Sequence, residues 1–142
     1  EKQLKLKLGS LEKAINSLAK ALRITEDKMQ QGVETDELEL LKAGVIQNFE
    51  FTYELCWKFM KRWIETNISS EIVDGVTRRE LFRLSAENRL IIDFDEWMEY
   101  HWARNISLHT YNSEIAEEVY QITLKFIKAA QDFLGRLEMR ND

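Results

Sequence analysis

The chain has 142 residues, with 20 Lys and Arg against 25 Asp and Glu, a net charge of −5, no proline, five glycines and one cysteine. That length fits one domain spanning 1–142 with a real core, and its 44% hydrophobic content is too high for a disordered chain. The scarcity of turn formers excludes a turn-rich β fold, and acidity removes any global attraction to nucleic acid.

A lone Cys56 excludes a disulfide framework and a cysteine metal cluster, and points to a reducing compartment, the cytoplasm. No apolar run is long enough to span a bilayer, and the opening EKQLKLKLGS has no signal-peptide core, so no membrane association is expected.

The elements follow in chain order. Leu4, Leu8, Leu11, Ile15, Leu18 and Leu22 recur at spacings of four and three, one stripe of an amphipathic helix. Gly32 marks its end, and Asp36 with Glu39 reads as the capping box of the next helix. That second helix should run from about Glu37 to about Glu65. It carries two stripes, Leu41, Val45, Phe49, Cys56, Phe59 and Trp63 beside Ile46, Tyr53, Trp57, Met60 and Ile64. One bundle core buries one such face. The excess predicts a central helix or a second contact surface, most simply a homodimer interface anchored by Tyr53 and Trp57.

Residues 66–76 read as a loop. Thr77 to Glu80 is a capping box opening a short helix with Leu81, Phe82 and Leu84. Asp93 opens another, with Trp97, Tyr100 and Trp102 on its apolar side. Asn112 precedes the last helix, whose stripe is Ile115, Val119, Ile122, Phe126, Ala129, Phe133 and Leu137. Its first turns carry Glu114, Glu117 and Glu118, where negative charge suits the helix dipole. The whole reads as all-α, a four-helix up-and-down bundle with one element broken into short helices.

Much chemistry has no support in this sequence. There is no Gly-rich phosphate loop and no nucleophile elbow. Asp93-Phe94-Asp95 looks like a magnesium-binding pair of nucleotidyltransferases but lacks their preceding Gly-Ser, so a helix cap is the better reading. His101 and His109, with Asp93 or Glu99, match no zinc spacing. What remains is Arg104 to Tyr111, which concentrates a guanidinium, an amide, an imidazole and a phenol. Arginine grips phosphate and histidine moves protons near neutral pH. The same group also suits a buried polar network at a helix join.

Arg104-Asn105, three residues, His109, one residue, then Tyr111 resembles the signature of the HEPN superfamily. It is most similar to the branch of nucleotidyltransferase substrate-binding, or HepT-like, proteins. Ile46 to Lys58 is similar to that branch's second-helix block, and Leu81-Phe82-Arg83, Leu90-Ile91 and Trp97 to its middle. The resemblance implies a dimerising helical bundle paired with a separately encoded minimal nucleotidyltransferase, on which magnesium and ATP are expected, and no cofactor in this chain. It implies two functions. One is a binding subunit that presents a nucleotide or substrate, with Tyr111 as AMP acceptor. The other is a metal-independent endoribonuclease toxin, with Arg104 and His109 catalytic and Asn105 in support, silenced by AMP on Tyr111. Arg78, Arg79, Arg83 and Arg89 offer a local basic groove for RNA or a solvated face.

Overall fold

The computed structural model describes residues 6–140, so Leu4 of the first stripe lies outside the described residues. Among the described residues six helices form: α1 Gly9–Gln31, α2 Thr35–Asn67, α3 Ser70–Val73, α4 Arg78–Glu87, α5 Phe94–Ile106 and α6 Ser113–Met139. A 3-10 turn, Ser107–His109, joins α5 to the approach to α6. Among the described residues there is no strand, and no helix is long and apolar enough to cross a membrane.

Local signals explain most boundaries. α1 stops where Gly32 takes the left-handed conformation (φ 78°), with the Val33 N–H donating to the Lys28 carbonyl at 3.3 Å. The chain reverses so tightly there that α2 restarts at Thr35. Asp36 is therefore not the cap expected of it. It sits within the first helical turn, after a Glu34 cap that makes no side-chain bond, and contributes only charge to the dipole. Thr77 does cap α4, its Oγ1 accepting from the Glu80 N–H at 3.1 Å. Asp93 caps α5, accepting from the Asp95 N–H at 2.8 Å and the Glu96 N–H at 3.4 Å. Asp93→Ala should cost about 1 kcal/mol in denaturant unfolding. A change of a few tenths or less would show that the cap contributes nothing.

The expected loop at 66–76 contains one helical turn. α2 continues to Asn67, and Ser69 caps α3 by accepting from the Glu71 N–H at 3.2 Å. Val73, fully buried, pins that turn to the core. Four residues are too short for a periodic stripe, so only Ser69 signals it.

The larger correction concerns α2. It packs against α1, α3, α4, α5 and α6, and is the central helix. Most of both apolar stripes is consumed inside the protomer. Phe49, Cys56, Met60 and Ile64 are fully enclosed, and Tyr53 is 1% exposed, so Tyr53 cannot anchor an interface. Trp57 is half-buried, with the Arg78 guanidinium lying 3.5 Å from its ring centroid. Trp102, expected on the apolar side of α5, is exposed instead. Trp97 and Tyr100 form the aromatic centre with Phe82, Phe126 and Phe133. α1, α2 and α6 are the long helices of the bundle. α5 closes it against α6 and α2, and α4 packs on both α2 and α5.

Candidate functional site

α5 does not run on through the motif. It ends at Ile106, and the 3-10 turn then swings His109 and Tyr111 out to solvent. Arg104 remains on the last turn of α5, where a cation suits the carboxyl end of the helix. Its guanidinium lies against α2, with Nε 3.3 Å from Glu54 Oε2 and Nη1 3.8 Å from Glu50 Oε2. The Nε contact is an ion pair without an aligned hydrogen bond. Glu50 also accepts a short hydrogen bond from the Ser107 hydroxyl, which itself lies 2.7 Å from the Arg104 carbonyl. One carboxylate thus touches both the arginine and the turn that carries the histidine.

His109 Nδ1 is 3.4 Å from the Tyr111 hydroxyl, with the rings edge to face at 5.8 Å. Tyr111 is 86% exposed, so its phenol is open to attack or modification. Asn105 is also exposed on α5. Asn112 caps α6, accepting from the Glu114 and Ile115 N–H groups at 2.9 and 3.2 Å. Those two amides are therefore taken, which leaves fewer N–H donors beside the helix dipole to favour a phosphate on Tyr111. Beside the turn, the starts of α2 and α6 enclose a cleft of about 630 Å³, lined in part by Lys42, Ile46, Glu50, Thr110, Tyr111 and Glu117.

The alternative metal reading has no geometry behind it. Among the described residues no three His, Cys, Asp or Glu side chains converge. Glu99 pairs with Lys125 at 2.7 Å, Asp93 is spent on its cap, and His101 Nδ1 meets the Tyr53 hydroxyl at 2.8 Å. Burial lowers the His101 pKa, reinforced by the Arg78 charge, while Glu54 opposes both. The expected basic groove disperses. Arg79 lies over Phe94, Arg83 pairs with Glu80, and the Arg89 carbonyl accepts from Arg136. Only Arg78 turns toward the seam between α2 and α5, against Trp57, Tyr53 and His101.

Sequence reasoning missed Glu50, Glu54 and Ser107 as members of the site, and did not separate Arg78 from the other arginines of its run. Glu50 and Glu54 stand one helical turn apart on α2, a spacing also expected of any solvated face.

The bundle presents an Arg, an exposed His and an exposed Tyr at one helix join, as the resemblance to HEPN proteins leads one to expect. Residues 6–139 match the family described as nucleotidyltransferase substrate binding protein like, and the chain belongs to that family. It is 34% identical to a protein named probable ribonuclease HepT from Haemophilus influenzae, over 96% of this chain and 95% of that one. A solved structure of HI0074 from Haemophilus influenzae, described as revealing the fold of a substrate binding domain of a nucleotidyltransferase, superposes with a TM-score of 0.87. The two share 30% identity over 93% of this chain and 99% of that one. A protein from Thermus thermophilus shares the fold, with a TM-score of 0.71 at 22% identity, over 89% of this chain and 98% of its own.

Proposed function

We infer that this chain is a metal-independent endoribonuclease of the HepT type, held in check by a separately encoded nucleotidyltransferase that attaches AMP to Tyr111. The carrying observation is the His109–Tyr111 contact in the open, joined through one short turn to a guanidinium fixed by Glu50 and Glu54. In this scheme a ribose 2′-oxygen attacks its neighbouring phosphorus and the bond to the 5′-oxygen breaks. His109 takes the 2′-hydroxyl proton while a water protonates the leaving 5′-oxygen, and Arg104 stabilises the charged phosphorus centre. The likeness to a protein named probable ribonuclease HepT supports this reading.

Silencing follows from position. The Tyr111 oxygen attacks the α-phosphorus of ATP on the partner, pyrophosphate leaves and the phenolic proton passes to a base. The phosphate is then bonded to an oxygen that lies 3.4 Å from His109 Nδ1, and adds negative charge beside the motif. Co-expression with the partner should add one AMP mass at Tyr111, seen by peptide mass spectrometry and absent in Tyr111→Phe. An unmodified Tyr111 beside an active partner would refute it.

A second reading is favoured by the 630 Å³ cleft at Tyr111. There the chain is a binding subunit that seats a nucleotide or substrate for the nucleotidyltransferase, and cuts nothing. Both readings include a homodimer. With Tyr53 withdrawn into the core, the surface that a second copy would cover includes Phe51, Trp102 and Leu108, exposed on α2, α5 and the turn.

A further inference from the structure

Arg78 carries a charge that the protein leaves unanswered. Among the described residues no carboxylate lies within 4.0 Å of it, since Glu50 and Glu54 both pair with Arg104. Its Nε is shielded from solvent without a hydrogen-bond partner. Its guanidinium sits over the Trp57 ring, which holds it still; one donor meets the Tyr53 hydroxyl, and the remaining donors are left for an acceptor. A half-buried cation without a counter-ion is costly, and a bound anion removes that cost.

The neighbours of Arg78 are arranged to donate as well. Tyr53 Oη is 2.8 Å from His101 Nδ1. Burial pushes the Tyr53 phenol up, so it keeps its proton, and burial pushes His101 down, so its ring is neutral. In the tautomer where Tyr53 donates to Nδ1, the His101 proton sits on Nε2. On α5, His101 precedes Arg104 by three residues, on the same side and about 4.5 Å along the axis. On α2, Glu54 links the two regions. It accepts from Trp57 Nε1 at 3.0 Å and pairs with Arg104 Nε. Arg78, His101 and Arg104 thus follow one another along the seam between α2 and α5 that ends at His109.

We propose that Arg78, with His101 Nε2 beside it, binds the phosphodiester adjoining the scissile one in a single-stranded RNA. The proposal rests on the ribonuclease reading, because a strand engaged at Arg104 and His109 is what brings a second phosphate to this seam. A guanidinium edge offers two parallel N–H donors to a phosphate, and such a pair recognises the backbone without reading the base.

The test uses a fluorescent single-stranded RNA and full-length protein carrying His109→Ala, so that the strand survives. Binding is followed by anisotropy across a salt series. Each phosphate neutralised on a single strand contributes a slope of about −0.7 in log K against log salt. Adding Arg78→Gln should flatten the slope by about 0.7 and weaken binding several-fold near 0.1 M salt. Arg78→Lys should keep the slope. An unchanged slope in Arg78→Gln, while Arg104→Ala flattens it, overturns this site and leaves the ribonuclease reading standing. A slope lost equally in Arg78→Lys and Arg78→Gln marks a structural effect and also overturns it. No RNA binding by the His109→Ala parent overturns both.

Discussion

Purified protein should cleave RNA in EDTA, and His109→Ala should reduce the rate by about 10²–10⁴-fold, the range for a positioned general acid or base. Arg104→Ala should cost about 10²–10³-fold, as expected for one group that stabilises developing charge. Neither loss should come from unfolding. His109 is exposed, and Arg104 lies at the surface of α5 with its side chain 28% accessible. Melting temperatures within a few degrees of the parent protein are therefore expected. Cleavage that persists undiminished in both variants would remove the ribonuclease reading. An absence of cleavage in the unmodified parent would favour the binding subunit.

The second large effect is on stability. Trp97→Ala should destabilise the protein by about 3–5 kcal/mol. Trp97 is 1% exposed and lies edge to face with Tyr100, Phe126 and Phe133, at centroid distances of 5.2, 5.7 and 6.0 Å, and tilted against Phe82 at 5.8 Å. It joins α4, α5 and α6, so the cavity left by alanine has rigid walls that cannot collapse together. Urea unfolding should show a lower midpoint with little change in slope. A loss under about 1 kcal/mol would mean that the aromatic centre repacks freely, which the close-packed rings argue against.

The bundle was legible because α1 and α6 bury one face each. The stripes of α1 and α6 lie in the core over most of their length, and Gly32, Thr77, Asp93 and Asn112 mark ends as their chemistry predicts. α2 shows the limit of periodicity. Two apolar stripes reveal how much surface must be covered, but not whether the cover is a second copy or five other helices of the same chain. Trp102 shows a related limit, since hydrophobicity alone does not say on which side of a short helix an aromatic falls. At the site, Arg104, Asn105, His109 and Tyr111 were readable as a local spacing. Glu50, Glu54 and Arg78 come from elsewhere in the chain, and no local spacing ties them to the motif. Their role appears only once α2, α4 and α5 are packed.

Glu50 gives this divided site an unusual dependence on the fold. It meets Ser107 and Arg104 from a helix more than fifty positions earlier in the chain. The motif segment alone therefore lacks the carboxylates that aim its guanidinium. Any fluctuation that lifts α5 from α2 releases Arg104 and the turn bearing His109 together. Competence and docking of these helices are then a single cooperative event, and a fragment or partly opened form has no residual site to misfire with.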